Sequence, residues 1–372
     1  MPIHHTSDKK VLLSGIKSTG RPHIGNYFGV MKQYLELQHQ GYDSRIFIAD
    51  FHSLTTVHDA DTLAQSTLDL AIDYLAIGLD PNLVTIFKQS DVPELTELTW
   101  IFNAITTMPY LMRAHAFKDA EAKNKDINVA LFDYPLLMAA DILIQNSDIV
   151  PVGRDQKQHV EIARDTAEKF NRIFCKTETL GEDAGIFKLP EPYIVSAVET
   201  VPGIDGQKMS KSYNNHIPLF SEDDDIRKLV MSIVTDSGAS AGGVATTSGA
   251  DIEASDTDAS ATDSMAGIPL NVFNIHKLFI GNSDLISAGK AYLKSEESLK
   301  EFYRSTEGKY KPLKDALAED LIAFITPLRA RRALIAQDTD AIRNMLAKNG
   351  AAIREKVHPL VYEVRRKVGL IV

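Results

Sequence analysis

The sequence predicts an α/β protein, a Rossmann-type parallel-sheet catalytic domain followed by a C-terminal α-helical domain. Three observations predict it. Short apolar runs alternate with helical-period segments over the first ninety residues; a Gly- and Pro-rich loop joins the first run to the first helical segment; and beyond Asp223 the texture turns helical with few strand signals. Strand, helix, strand in repetition is the pattern of a parallel sheet wrapped by helices.

The first strand is expected over residues 10–15, ending at Gly15, and the first helix over 25–40. A second strand follows at 45–50. Residues 62–78 carry Leu63, Leu70, Ala71, Tyr74 and Leu75 at helical spacing, with Gly78 as the stop signal. A third strand is expected at 83–87, helices at 94–104, 134–145 and 156–170, and a last strand at 193–198. The domain boundary falls at 215, giving 1–215 and 216–372. Residues 237–268 hold five acidic residues and no Lys or Arg among Gly, Ala, Ser and Thr, and are expected to form a flexible acidic insertion.

The 372 residues fit two domains, and 44% hydrophobic with 24% charged residues is an ordinary globular balance. A formal net charge of -10 excludes a generic polyanion binder, so a nucleic-acid partner must meet a local basic face. Residues 327–372, with ten Lys/Arg against four Asp/Glu, offer such a face or an ordinary solvated helix surface. The single cysteine, Cys175, forms no internal disulfide and builds no metal site alone, which points to a reducing compartment. The polar start with His4 and His5 does not read as a secretory signal, and no apolar run is long enough to span a membrane. A cytoplasmic enzyme with no membrane partner is expected.

Two constellations carry chemistry. The loop from Ser14 to Asn26 joins the first strand to the first helix, where parallel sheets bind ligands and a helix start offers N–H groups to phosphate. Gly25 lets a nucleotide approach the backbone; His23 and Asn26 can donate to phosphate oxygens, and Lys17 and Arg21 add positive charge. The loop is neither a Walker loop nor a G-x-G-x-x-G loop. The second constellation is Lys208-Met209-Ser210-Lys211-Ser212 after Asp205-Gly206-Gln207. Two lysines three apart in a glycine-led loop, with hydroxyl and N–H donors between them, suit a pyrophosphate leaving group.

Together these motifs resemble the class I aminoacyl-tRNA synthetases. His23-Ile24-Gly25-Asn26 is similar to the family's H-I-G-H element with Asn in the last place, and Lys208 to Ser212 matches its K-M-S-K-S loop. Within that family the likeness is to the tryptophanyl-tRNA synthetases, on Gly25-Asn26-Tyr27-Phe28-Gly29, Tyr134 through Leu143, Val150 through His159 and Val234-Thr235-Asp236-Ser237. Lys17-Ser18-Thr19 departs from the Gln-Pro-Ser of many tryptophan enzymes.

The resemblance implies ATP and L-tryptophan as substrates, Mg²⁺ as cofactor with no dedicated protein metal site, tRNA(Trp) as partner and a homodimer. It implies catalytic roles for His23, Asn26, Lys208 and Lys211. It implies ATP contacts from Lys17, Ser18, Thr19, Gly25, Asn26, Gly153, Arg154, Asp155, Lys208, Met209, Ser210, Lys211 and Ser212. Tyr134, Met138 and Asp141, spaced by four and three, share a helix face suited to a flat indole with one N–H donor. Met138, Val150 and Val152 would wall the indole and Asp141 would accept its N–H; Tyr134 and Gln156 would hold the α-amino group, and His52 would lie near the carboxylate. The alternative is a structural set, with Met138 in the core and Asp141 capping a helix or pairing with an arginine. The helical domain, 216–372, would read the anticodon. A tyrosyl-tRNA synthetase, a nucleotidylyltransferase and a non-catalytic tRNA-binding relative remain open at this point.

Overall fold

The computed structural model describes residues 9–122, 127–153, 156–176, 185–193, 201–235, 268–307 and 309–371. Its frame is a parallel sheet of β1 (Val11–Ile16), β2 (Asp43–Ile48), β3 (Val84–Lys88), β4 (Ile149–Pro151) and β5 (Glu191–Tyr193), in the order β3-β2-β1-β4-β5. Ser14 pairs with Ile46, and Ile46 with Ile86, so the three longest strands run in register at the centre. The strand order reverses next to β1, and in open parallel sheets ligands bind at such a switch point, beyond the carboxyl ends of the strands.

The expected helix at 25–40 forms in three pieces: α1 (Ile24–Asn26), a π-helical stretch (Tyr27–Met31) and α2 (Lys32–Leu37). Next come α3 (Asp50–Ser53) and α4 (Ala60–Ile77). Asp59 caps the N-terminus of α4, and Gly78 closes it at φ 112°, a left-handed conformation that favours glycine. After β3 come α5 (Glu94–Ile105), α6 (Met108–Leu111), α7 (His115–Ala122) and α8 (Val129–Ile144). The start of α8 is a turn and more before the expected one, because Asn128 supplies the cap and Pro135 is accommodated inside. α9 (Lys157–Phe174) completes the sheet's cover. Of the strand expected at 193–198 only Tyr193 is described, and of the acidic segment 237–268 only Ile268.

The chain divides into two compact units, and these depart from the boundary expected at residue 215. One comprises Met1–Pro22, Gly29–Ala197 and Arg331–Val372, the other His23–Phe28 and Val198–Ala330. In the first unit, the helix Thr339–Lys367 returns to the sheet. Ile353, Val357, Leu360, Val361 and Val364 join one apolar core with Phe47, Phe87, Phe102 and Leu136. Asn349 donates to the Ile86 carbonyl at 2.8 Å, and a Cβ on Gly350 would lie 2.4 Å from Asp91. Four of the tail's basic residues have acidic partners in this unit. Arg332 pairs with Asp69 and Asp73, Arg354 with Glu94, Lys356 with Asp43, and Arg365 with Glu97. In the second unit, helices including Leu270–His276, Glu296–Ser305 and Tyr310–Ile335 contribute Phe273, Phe279, Leu299, Tyr303 and Leu321 to the interior.

Candidate active site

The second unit brings the His23 segment against the lysine loop. His23 caps α1: its Nδ1 accepts the Asn26 N–H at 3.3 Å, while the Asn26 side-chain oxygen accepts the His23 N–H at 3.1 Å. A ring that accepts at Nδ1 carries its proton on Nε2 when neutral, so Nε2–H is the group left to donate. Burial, and then the neighbouring His216 and Lys211, lower the His23 pKa to about 4, so the ring is neutral at physiological pH. Ile24 N–H donates to the Ile217 carbonyl at 3.0 Å, and the His23 and His216 rings lie 5.6 Å apart. A Cβ on Gly25 would stand 2.9 Å from His23 Nδ1 and 3.4 Å from the Met209 sulfur, so glycine is required by close approach. The two motifs, some 180 residues apart in sequence, therefore meet in space.

The lysine loop is built as a short hairpin. Gly203 N–H donates to the Gln207 carbonyl at 2.6 Å, Met209 N–H to the Val201 carbonyl at 2.9 Å, and Gly206 turns the chain at φ 84°. Met209 is buried and anchors the loop, whereas Lys208 is exposed and Lys211 half-buried. Asn215, which sequence reasoning missed, is the internal brace. Its Nδ2 donates to Asp205 Oδ1 at 2.8 Å and to the Lys208 carbonyl at 3.1 Å, and its Oδ1 accepts the Ser210 N–H at 2.7 Å. Ser210 Oγ in turn accepts the Ser212 N–H at 3.3 Å.

The first unit holds the residues expected to take the amino acid. Tyr134, Met138 and Asp141 lie on α8, with Asp141 buried and Met138 packed half-buried against the core. Tyr134 contacts His159 through its hydroxyl at 3.1 Å, and its ring lies 6.0 Å from His52. The Lys17 ammonium sits 5.0 Å from the same ring, and burial lowers the Lys17 pKa. Val150 and Val152 are buried at and beyond the centre of β4.

Among the described residues, Asp141 pairs with neither an arginine nor a helix cap. Its Oδ2 lies 2.9 Å from His52 Nε2, and Gln89 Nε2 donates to Oδ1 at 2.8 Å and to Oδ2 at 2.9 Å. His52, expected beside the substrate carboxylate, is thus engaged with Asp141 inside the molecule. Burial raises the Asp141 pKa, while hydrogen bonds from His52 and Gln89 oppose that shift.

Ser18 is fully buried, and its hydroxyl is engaged with Ser53 and Thr67, each at 3.1 Å. Thr19 and Gly153 are half-exposed, and Gln156 is exposed at the start of α9. Arg154 and Asp155 lie outside the described residues. Gln89 and His216 were also missed. Gln89 directly follows a strand of a parallel sheet, a position that could have marked it. His216 is a single polar residue with no periodic signal. Among the described residues, no three His, Cys, Asp or Glu side chains cluster as a metal site, and no helix is long and apolar enough to cross a membrane.

The family model for class I tRNA synthetases of the W and Y type matches residues 6–326. The tryptophan–tRNA ligase of Rhodopirellula baltica is 40% identical over 359 residues, covering 96% of this chain and 99% of that protein. The tryptophan–tRNA ligase of Fusobacterium nucleatum is 54% identical over 225 residues, 60% of this chain and 66% of that protein. Among solved structures, the tryptophanyl-tRNA synthetase of Campylobacter jejuni complexed with ADP and tryptophan aligns with a TM-score of 0.74 at 34% identity. That alignment covers 96% of this chain and 99% of the other.

Proposed function

This chain belongs to the class I tRNA synthetases of the tryptophan and tyrosine group, and from that premise we propose that it activates L-tryptophan with ATP and transfers it to tRNA(Trp). The observation that supports the reading is the approach of Gly25 to Met209 of the lysine loop and of His23 to His216 just after it, an arrangement suited to one nucleotide's phosphates. Tryptophan rather than tyrosine is favoured by the relatives and by the buried Asp141 in the same compact unit as the apolar Met138, Val150 and Val152.

In the first step a tryptophan carboxylate oxygen attacks the α-phosphorus of ATP in line. The new O–P bond forms as the bond to the β-phosphate oxygen breaks, and pyrophosphate leaves with the electron pair. No protein nucleophile is needed. Neutral His23 donates through Nε2–H, the Asn26 amide supplies further donors, and Lys208 and Lys211 offset the charge that gathers on pyrophosphate. Lys17, Thr19, Gly25, Gly153, Arg154, Asp155, Ser210 and Ser212 complete the ATP contacts, with Ser18 contributing structure rather than its hydroxyl. Asp141 accepts the indole N–H and so rejects phenylalanine, which lacks it. Tyr134 and Gln156 hold the α-amino group. In the second step a terminal ribose hydroxyl of the tRNA attacks the acyl carbon and AMP leaves.

The donors of the nucleotide motifs are lysines, an imidazole, amides and hydroxyls rather than clustered carboxylates. They would suit a Mg²⁺ carried in on the triphosphate, which would supply charge neutralisation there. Recognition of tRNA falls to the helical region after residue 216 and rests on stacking and hydrogen bonding to unpaired anticodon bases, because much of the tail's charge is paired internally. A homodimer is supported by large apolar side chains left open on one unit, Trp100 at 74% exposure, Met108 at 59% and Val129 at 82%. A cytoplasmic setting suits this activity.

ATP–pyrophosphate exchange across the standard amino acids tests the reading. Exchange with tryptophan alone is expected. Exchange with tyrosine would transfer the chain to the sister specificity, and tRNA binding without any exchange would make it a non-catalytic relative.

A further inference from the structure

Gln89 belongs to no motif considered so far, yet it is 1% exposed and opens the 3-10 turn Gln89–Asp91 at the carboxyl end of β3. Its amide orientation is fixed by chemistry. Oε1 accepts the His52 backbone N–H at 3.3 Å while Nε2 straddles both Asp141 oxygens. A flipped amide would set oxygen against carboxylate and N–H against N–H. The turn is itself pinned, because Ser90 donates to Asp50 through Oγ at 2.5 Å and through its N–H at 3.0 Å.

The donors on Asp141 are distributed unevenly. Among the described residues, Oδ2 receives both His52 and Gln89, whereas Oδ1 receives Gln89 alone. Each carboxylate oxygen has about two lone-pair sites, so Oδ1 keeps one available. A buried carboxylate with too few donors would also take up a proton and turn from acceptor to donor.

We propose that Gln89 is a specificity-positioning residue: it straddles the Asp141 carboxylate, fixes its plane, and leaves Oδ1 as the acceptor that distinguishes an indole N–H from an aromatic ring lacking one. The inference rests on the reading that Asp141 accepts the indole N–H. Gln89 acts through Asp141 and does not itself touch substrate.

The test compares exchange kcat/KM for L-tryptophan and for 3-benzothienyl-L-alanine, in which sulfur replaces the N–H, in the whole 372-residue chain and in Gln89→Leu, Gln89→Glu and Asp141→Ala. A correctly placed bond to a charged acceptor corresponds to roughly tenfold or more in discrimination. In Gln89→Leu the preference for tryptophan is expected to fall at least that far through loss on tryptophan, with the analogue changing much less. Gln89→Glu sets two carboxylates together and is expected to make tryptophan use rise as pH falls through the neutral range, the analogue showing no such slope; this arm decides the matter if Gln89→Leu does not fold. Equal loss on both substrates in Gln89→Leu, or a Gln89→Glu enzyme with wild-type preference at every pH, overturns the role of Gln89. If Asp141→Ala retains full discrimination, the reading of Asp141 has failed; if Asp141→Ala loses it and the Gln89 variants do not, only the inference has failed.

Discussion

Replacing Asn215 with alanine is expected to disable the lysine loop while sparing tryptophan binding. Asn215 is 2% exposed and makes three side-chain hydrogen bonds, to Asp205, to the Lys208 carbonyl and from the Ser210 N–H. At about 1 kcal/mol net each, these bonds set a ceiling near 3 kcal/mol on the preference for the braced loop. Asp205 and Lys208 are exposed, so water can replace part of that, and about 2 kcal/mol is the fairer figure. Such a loss corresponds to roughly 30-fold in kcat/KM for ATP–pyrophosphate exchange. Tryptophan affinity by calorimetry should stay within about twofold, because Asn215 is bonded to Asp205, Lys208 and Ser210 whereas Asp141 is held by His52 and Gln89. A thermal melt separates loop loosening from global unfolding. Exchange within about threefold of the parent would refute the bracing argument, as would a parallel fall in tryptophan affinity with the fold intact.

Lys211→Ala is expected to lower the exchange rate by about 100-fold with little change in tryptophan affinity. It should also raise the His23 pKa, because Lys211 is one of the charges that lower it; equal loss of rate and affinity counts against the leaving-group role. His23 should titrate near pH 4, visible by NMR of its ring protons. Its folded-state value lies below the ordinary 6.5, so its stabilising contribution is present above pH 6.5 and is lost as pH falls toward 4. A titration near 6.5 would remove the neutral-donor assignment. Arg332→Ala strips the main partner from Asp73, a residue with 0% exposure, and is expected to cost about 3 kcal/mol by chemical denaturation. Burial already raises Asp73 to about 6 against the pull of Arg332, so this deficit should grow between pH 6 and pH 8 as the unpaired carboxyl is asked to ionise. A deficit that is flat in pH would refute the burial argument.

Much of the catalytic frame was legible because it is local. β1, β2 and β3 announce themselves as apolar runs, Gly78 ends α4 where a left-handed residue is needed, and the two nucleotide motifs are contiguous strings. The features that escaped depend on contacts distant in sequence. β4 is three residues long and ends in proline, too short to show a period. The return of residues 331–372 to the first unit rests on Asn349 reaching Ile86 and Arg332 reaching Asp69 and Asp73, pairings that no local periodicity encodes. Ser18 reads as a phosphate ligand because it stands in a phosphate loop; the bonds of its hydroxyl to Ser53 and Thr67 are again contacts distant in sequence.

Charge shows the same limit and points to its cause. A count along residues 327–372 finds an excess of six positive charges and suggests a polyanion face, yet the acidic partners of Arg332, Arg354, Lys356 and Arg365 come from residues 43 to 97. Asp141 likewise reads as a bare acceptor until His52 and Gln89 are seen on it. In both cases the sequence supplies the charge and the fold decides how much of it is already spent. For Asp141, His52 and Gln89 among the described residues hold the carboxylate, and the proposed indole acceptor is what they leave on Oδ1. A fully bare buried carboxylate would protonate and select nothing, so the partners that seem to compete with the ligand are what keep the acceptor an acceptor.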